Sequence, residues 1–278
     1  MDLAVTTEQR LYRTPDRSFR ASLLHGFWGR YRHTFSAVHL VARVFEGGEA
    51  EQRFGRVDEG GVTVLPLPPF DGLLSFAAAQ RELRRRIEPL ATSEFAVLLR
   101  LPSIYATRIG RRLARAGKPF GAEILGDPAE ALARGSLRHP ARMLLRRLLR
   151  AELRWACDRA CATAYVTRST LQGRYPPRSG RFTTHGSDIE LADEDFAASP
   201  RARPEHEGIA LVHVGTFSQP YKGQDLIVDA VRTLARRGVA VRATLIGEGR
   251  WRPALEARAR ERGLGASIEF PGEIRDRA

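Results

Sequence analysis

Short apolar, β-branched runs alternate with amphipathic helical stretches along most of this sequence, and this alternation limits the fold more than any other feature. Such a pattern is typical of parallel strands whose sheet is covered by helices on both faces. In the first half we predict strands at 3–7, 37–44, 62–68, 95–100, 119–125 and 162–167. We predict helices there at 72–87 and 139–160, another after Pro102, and a packed aromatic helix around Phe27 and Trp28.

The alternation occurs twice. Residues 173–208 are rich in Pro, Gly and Ser, as a domain boundary is. Beyond them we predict strands at 208–215, 241–247 and 267–272, and helices at 223–237 and 251–263. The sequence therefore predicts an α/β protein with two Rossmann-like units: residues 1–175, a linker at 176–207, and a partial unit at 208–278. Three strands are half of a doubly wound sheet, so the second unit is expected to be incomplete, with an exposed apolar face.

Composition excludes several classes of protein. The 278 residues suffice for two domains, and no apolar run approaches the ~18 residues that span a bilayer. The N-terminus has no secretory signal pattern, which favours a cytoplasmic protein. The two cysteines, Cys157 and Cys161, are too few for a disulfide framework or a zinc site, and no metal is expected.

The net charge of +13 favours anionic partners, although a solvated arginine surface explains part of it. No helix-turn-helix, zinc-finger or RRM pattern is present, so no nucleic-acid partner is expected. The basic helix at 142–159 is predicted to have two faces. One face carries Leu144, Leu145, Leu148, Leu149 and Trp155, and the other carries Arg146, Arg147, Arg150 and Arg154. It could lie on an anionic membrane or receive a lipid diphosphate; the alternative is a packed helix with a solvated arginine face.

Lys222 is one of only two lysines in the chain, and it follows a predicted strand that ends at Gly215. Lys222 and Gly223 stand directly before a predicted helix, where backbone amides and an ammonium together attract a phosphate or diphosphate. The loop is not a Walker A motif, because Gly223 occupies the last position. A surface lysine at a helix start is the alternative. Gly247 and Gly249 occupy a similar strand-to-helix turn, where glycine is also the ordinary residue.

These segments together resemble a known family. The stretches GTFSQPYKGQD, VRATLIGEG and SIEFPGEI are similar, in order and spacing, to the nucleotide-binding half of retaining GT-B glycosyltransferases of family 4, also called group 1. KPFGAEILGDP and YVTRSTLQGRYP resemble the acceptor domain of that family, and THGSDIEL resembles its crossover between domains. The resemblance covers most of the chain.

The resemblance implies a transferase that moves a sugar from a nucleotide sugar to a cell-envelope polysaccharide or lipid-linked acceptor, with retention. It would work without a metal, in the cytoplasm or on the cytoplasmic face of the membrane. The alternative is a non-catalytic remnant or subunit that binds a nucleotide and needs a partner chain.

The resemblance also assigns roles to residues. Lys222 would act catalytically by neutralising the donor diphosphate, and Asp127 would position or deprotonate an acceptor hydroxyl. A helix-capping or turn aspartate is the alternative for Asp127. Glu123, within a predicted strand, is a weaker acceptor-side candidate that must have a partner or face the cleft. The implied diphosphate-binding residues are Gly215, Thr216, Lys222 and Gly223, and the nucleotide-binding residues are Gly247, Gly249, Gly272 and Ile274.

The sequence departs from the family pattern at three places. Thr216 stands where the family has a diphosphate-binding arginine, so a hydroxyl replaces a charge. Leu125 stands where a histidine is frequent. A Glu-x7-Glu motif that contacts the donor sugar would lie beyond Ala278, so the resemblance implies a C-terminally truncated chain with an incomplete donor site.

Overall fold

The computed structural model describes residues 1–21, 25–48, 54–132, 142–189, 193, 196–199, 208–218 and 222–274. The chain forms two compact units. Unit 1 contains Met1–Pro128 and Arg147–Leu191, and unit 2 contains Ala129–Arg146 and Ala192–Ala278. Each has its own sheet, as the predicted α/β class requires. The domain boundary expected at 208 stays a prediction, because most of 190–207 lies outside the described residues.

Unit 1 is built on a nine-stranded sheet. Its strands are β1 (Leu3–Arg13), β2 (Phe19–Ala21), β3 (Val38–Glu46), β4 (Gly55–Arg56), β5 (Val62–Leu67), β6 (Ala96–Leu101), β7 (Gly121–Ile124), β8 (Ala162–Tyr165) and β9 (Phe182–His185). The parallel part runs in the order β5-β3-β1-β6-β7-β8-β9, and β2 and β4 extend it as antiparallel strands beside the end of β1. Neighbouring strands at the centre are thus parallel, as the alternation predicts.

Helices cover both faces of this sheet. They are α1 (His25–Gly29), a 3₁₀ turn (Arg30–His33), α2 (Leu73–Ala78), α3 (Gln80–Thr92), α4 (Ile104–Arg115), α6 (Arg142–Arg159) from Arg147 onward, and α7 (Thr170–Arg174), whereas α5 (Pro128–Ala131) belongs mostly to unit 2. Along β6, Val97, Leu99 and Leu101 face the core under α3, α4 and α6, whereas Leu98 faces the opposite core. Phe27 and Trp28 of α1 are buried in that second core, so these aromatic residues pack as predicted.

The structure corrects two predicted elements of unit 1. The helix expected over 72–87 is two helices, α2 and α3, separated at Ala79. The segment expected to be linker contains β9, which pairs in parallel with β8 from Ala162↔Phe182 to Tyr165↔His185. The run Phe-Thr-Thr-His is aromatic and β-branched, as strands are. The surrounding Pro, Gly and Ser residues concealed it.

The faces predicted for α6 are also wrong. Its buried residues are Leu153, Ala156 and Cys157, whereas Leu144 and Leu148 are 58% and 51% exposed. Apolar residues occupy more than half of the circumference of this helix, so the 3.6-residue period alone could not identify the side that packs. The exposed side combines these leucines with arginines.

Unit 2 contains a three-stranded parallel sheet in the order β10 (Ile209–Val214), β11 (Val241–Ile246) and β12 (Ile268–Gly272). Helices α8 (Gln224–Arg236) and α9 (Arg252–Glu261) pack on one face, with Val228, Val231 and Leu245 fully buried. The other face is open at the edge strand, where Val212 and Val214 are 69% and 72% exposed. The apolar face expected from three strands is therefore observed.

Candidate functional site

The loops that follow β10, β11 and β12 meet at the carboxyl edge of the unit 2 sheet. The amide of Gly215 donates to the carbonyl of Ile246 (3.0 Å), and the amide of Gly247 donates to the carbonyl of Gly272 (2.8 Å). The amide of Phe217 donates to Glu248 in the next loop (2.8 Å). In open α/β sheets ligands bind at this edge. The structure thus brings together three of the glycines that the sequence predicts for donor binding.

Two glycines in these loops are required by close contact between backbones. Gly247 has φ +145° and Gly249 has φ +151°, a region that side chains rarely adopt. A Cβ atom on Gly247 would overlap the carbonyl oxygen of Gly215, and one on Gly249 would overlap the backbone of Phe217. The loops can approach each other this closely only without side chains.

The N-terminus of α8 lies beside the first of these loops. Gly223 is its N-cap residue, with φ +80° and no side-chain cap. Gln224, almost fully buried, donates from Nε2 to the carbonyl of Thr216 (3.0 Å) and so joins the helix start to the loop after β10. Lys222 is exposed directly before the cap. Uncapped first-turn amides beside an ammonium are suited to an anion.

The hydroxyl of Thr216 is used within its own loop. It donates to Ser218 Oγ (2.8 Å) and accepts from the Ser218 amide (3.1 Å), which forms a local hydroxyl-stabilised turn. Thr216 therefore shapes the loop, and it carries no charge.

Sequence reasoning overlooked Arg250. Its Nε donates to the carbonyl of Ser218 (3.0 Å), so an exposed guanidinium reaches from the loop after β11 to the loop after β10. The signal available in the sequence was an arginine directly after Gly-Glu-Gly. Ile274, predicted to bind the nucleotide, is 58% exposed two residues beyond Gly272.

Glu123 of unit 1 belongs to a network of charges. Arg100 Nε donates to Glu123 Oε2 (2.7 Å), Tyr31 Oη donates to the same oxygen (3.0 Å), and Arg30 lies 3.5 Å from the carboxylate. Arg100, whose side chain is only 4% exposed, also pairs with Asp188. Two arginines thus balance two carboxylates. Glu123 was expected either to have a partner or to face the cleft, and the structure shows that it has partners.

Arg100 and Asp188 are further polar residues that sequence reasoning did not single out. The available signal was an arginine inside the apolar strand FAVLLRL. Burial raises the pKa of the neighbouring Tyr31 hydroxyl to about 12, and the charge of Glu123 adds to this rise. The tyrosine therefore stays protonated and donates to the carboxylate at neutral pH.

Asp127 lies in a second network, directly before α5. Tyr175 Oη donates to Asp127 Oδ1 (2.5 Å), and Arg174 Nη1 donates to Oδ2 (2.9 Å). The Asp127 side chain is 3% exposed. Burial, and then the bond to Asp127, raise the pKa of Tyr175 to about 12. Both carboxylate oxygens thus bind α7 and the residue that follows it.

The described residues contain no group of three or more His, Cys, Asp and Glu side chains arranged to hold a metal ion. None of the helices that the structure describes combines the length and apolar character needed to cross a membrane.

Comparison with known proteins extends these observations. Residues 208–278 match the family model described as glycosyl transferases group 1. No curated protein matches the chain closely enough in sequence to count as a relative.

Solved structures match nearly the whole chain in fold. The lipopolysaccharide outer core galactosyltransferase WaaB, in its apo form, is 12% identical with a TM-score of 0.56, over 99% of this chain and 68% of that one. Sucrose-phosphate synthase from Thermosynechococcus elongatus is 13% identical with a TM-score of 0.60, over 99% and 71%. WaaG, a glycosyltransferase involved in lipopolysaccharide biosynthesis, is 13% identical with a TM-score of 0.55, over 99% and 70%.

At such low identity the structural matches show the fold alone, and the family match applies to residues 208–278. The fold class is the GT-B type expected from the sequence resemblance. The chain thus has the fold of these solved glycosyltransferases, and its residues 208–278 match the model of the glycosyl transferases group 1.

Proposed function

We propose that the chain transfers a sugar from a nucleotide-sugar donor to a cell-envelope polysaccharide or lipid-linked acceptor, with retention of configuration. One observation carries the proposal: the loops that begin at Gly215, Gly247 and Gly272 are bonded together beside the N-terminus of α8. The names of WaaB and WaaG, which refer to lipopolysaccharide, support the choice of acceptor class.

In this proposal unit 2 binds the donor diphosphate with its backbone amides and two cations. Lys222 and the first-turn amides of α8, beginning after Gly223, neutralise the diphosphate as it departs, which lowers the barrier by electrostatic stabilisation. In the same proposal Gly215 and Thr216 line the diphosphate. The residues that line the nucleotide are Gly247, Gly249, Gly272 and Ile274.

Arg250 supplies the charge that Thr216 lacks. Its guanidinium already reaches the loop after β10 through Ser218, and its other N–H groups have no partner among the described residues. Guanidinium groups bind phosphate oxygens in a bidentate manner. The proposal needs no metal ion, since Lys222, Arg250 and the helix amides neutralise the negative charge of the diphosphate.

Unit 1 binds the acceptor in this proposal, near Glu123 and Asp127. Both oxygens of the buried Asp127 side chain already accept hydrogen bonds, which favours a role in holding Arg174 and Tyr175 in place over a role in removing a proton from the acceptor. Contact of the exposed side of α6 with the cytoplasmic face of a membrane would bring the protein to a lipid-linked acceptor.

A second candidate function follows from the open face of β10. A chain with Val212 and Val214 exposed could be a nucleotide-binding subunit that a partner chain completes. Such a subunit would bind the nucleotide and release no product by itself.

The test combines nucleotide binding with turnover. Calorimetric titration with nucleoside diphosphates should give saturable binding, weakened about tenfold by Lys222→Ala and by Arg250→Ala, because each removes a charged contact. Arg236→Ala, at the opposite end of α8, changes the charge equally and should leave binding unchanged. Binding that Lys222→Ala does not affect would contradict the assigned donor site.

Release of nucleoside diphosphate from nucleotide sugars distinguishes the two functions. Release by the chain alone supports the transferase. If the chain alone binds the nucleotide but releases no nucleoside diphosphate, and release begins only when a second polypeptide is added, the result supports the subunit.

A further inference from the structure

A cationic depression lies at the amino edge of the unit 1 sheet, where β7, β8 and β9 begin. Its volume is about 250 Å³, and it is lined by Lys118, Asp158, Arg159, Cys161, Arg178 and Arg181 among others. Cys161 directly precedes β8 and Arg181 directly precedes β9. Since parallel strands begin at one edge and end at the other, the depression is separated from Asp127, which follows the carboxyl end of β7.

The positive charges of this cationic depression exceed its negative ones. No carboxylate among the described residues pairs with Arg178 or Arg181, and both are exposed. Arg159 meets Asp158 only at 3.8 Å. Lys118 Nζ donates to the carbonyl groups of Leu90 (2.8 Å) and Ser93 (2.5 Å), which are neutral, so its charge is not cancelled.

The negative ends of two helices offset part of this positive charge. Helices α4 and α6 end beside the depression, at Arg115 and Arg159, and each C-terminus carries about half a negative charge. Four cations therefore face one carboxylate and about one further negative charge from the helix ends. About two positive charges remain for a ligand.

A second depression of about 220 Å³ adjoins the first, shares Arg159 with it, and adds Arg115 and Trp155. The Trp155 ring stacks on Phe120 at 6.3 Å, and the guanidinium of Arg111 lies 4.5 Å from its centre. Trp155 thus packs against an aromatic ring and a guanidinium. No large exposed hydrophobic side chain lines either depression among the described residues, which disfavours a lipid tail.

We propose that the cationic depression binds a small phosphorylated anion, either a diphosphate or a phosphate monoester. The planar donors of Arg159, Arg178 and Arg181 match the oxygens of a phosphate group, which they can hold in a bidentate manner. Its volume of about 250 Å³ accommodates a phosphate or a diphosphate group. This site is separate from the donor site proposed in unit 2.

Cys161 provides a local probe of binding. It is exposed within the depression, whereas Cys157, the only other cysteine, is buried. Alkylation by iodoacetamide, followed by mass spectrometry, therefore reports on Cys161. Inorganic pyrophosphate and glucose 1-phosphate, added separately, should slow alkylation in a saturable way if they occupy the depression.

Variants separate this site from other anion sites. The double variant Arg178→Ala/Arg181→Ala should weaken protection at least about tenfold. Arg81→Ala, at an exposed position on α3, and Lys222→Ala should leave protection unchanged. Protection by only one of the two anions identifies the ligand class and supports the proposal. Absence of saturable protection, or protection that needs Lys222, would overturn it.

Discussion

At the scale of single residues, two positions must be glycine because another segment of backbone lies where a Cβ atom would be. Gly247 and Gly249 both have positive φ, and both leave no room for a Cβ atom. Gly263 also has positive φ (+71°), but nothing lies near its missing Cβ. The first two therefore hold the loops together, whereas Gly263 only ends a helix.

This contrast predicts different costs for alanine. Gly249→Ala should lower the free energy of unfolding by more than about 3 kcal/mol, since strain and overlap with the Phe217 backbone add. Gly263→Ala should cost about 1 kcal/mol, from conformation alone. Urea unfolding followed by circular dichroism measures both. Equal costs would show that the loop contact does not stabilise unit 2.

Arg100 is another residue whose identity depends on its surroundings. Replacement by methionine leaves the carboxylates of Glu123 and Asp188 near each other without their buried partner. We expect Arg100→Met to cost about 3 kcal/mol of unfolding free energy. Arg85→Met, which removes an exposed pair with Glu82, should cost less than about 1 kcal/mol. Chemical unfolding at neutral pH tests the difference, and similar values for the two variants would contradict it.

At the scale of elements, α6 differs from an ordinary packed helix because its exposed side is both apolar and basic. Met143, Leu144 and Leu148 are at least half exposed, and Arg147 and Arg154 accompany them. The alternative predicted for α6, a packed helix with a solvated arginine face, would expose its arginines and bury its large apolar side chains. The combination favours contact with an anionic surface.

Vesicle sedimentation tests this property of α6. The chain should bind vesicles that contain phosphatidylglycerol and should bind phosphatidylcholine vesicles weakly, since the arginines need anionic lipid. The variant Leu144→Glu/Leu148→Glu should lose most of this binding. Leu74→Glu on α2 changes a residue that is 90% exposed and should bind like the unmodified chain. Loss in both variants would mean that α6 has no special role.

At the scale of the whole molecule, several buried acidic groups stay protonated at alkaline pH. Burial raises the pKa of Tyr31 and Tyr175 to about 12 and that of Cys157 to about 11, and it raises the pKa of Tyr105 and Tyr165 as well. The unfolded chain releases these protons near the ordinary values, about pH 10 for tyrosine and about pH 8.5 for cysteine.

Stability should therefore fall on the alkaline side. A raised pKa in the folded state contributes stability below the unfolded pKa and loses it as pH rises toward the folded value. We expect the urea midpoint to decrease between about pH 10 and about pH 12, and Tyr31→Phe to make the decrease shallower. If the urea midpoint stays constant across this range, the buried tyrosine hydroxyl groups do not have raised pKa values in the folded protein.

Much of the architecture was predictable because it depends on local pattern. The strands β3, β5, β6, β10 and β11 lie where β-branched runs predict them, and the glycine turns after β10, β11 and β12 fall at adjacent positions of one sheet edge. Period and turn chemistry act over a few residues, so a sequence displays them directly. The fold class and the candidate donor loops follow from such signals.

Tertiary structure alone decided the partners of charged residues and the orientation of faces. Arg100 meets Glu123, and Tyr175 meets Asp127, across 23 and 48 residues of chain. The packed side of α6 and the pairing of β9 with β8 likewise depend on distant segments. The sequence by itself determined the repeating α/β units and the glycine loops, since these need only neighbouring residues. Burial and charge pairing depend on which distant surfaces the folded chain brings together, and local pattern does not encode this.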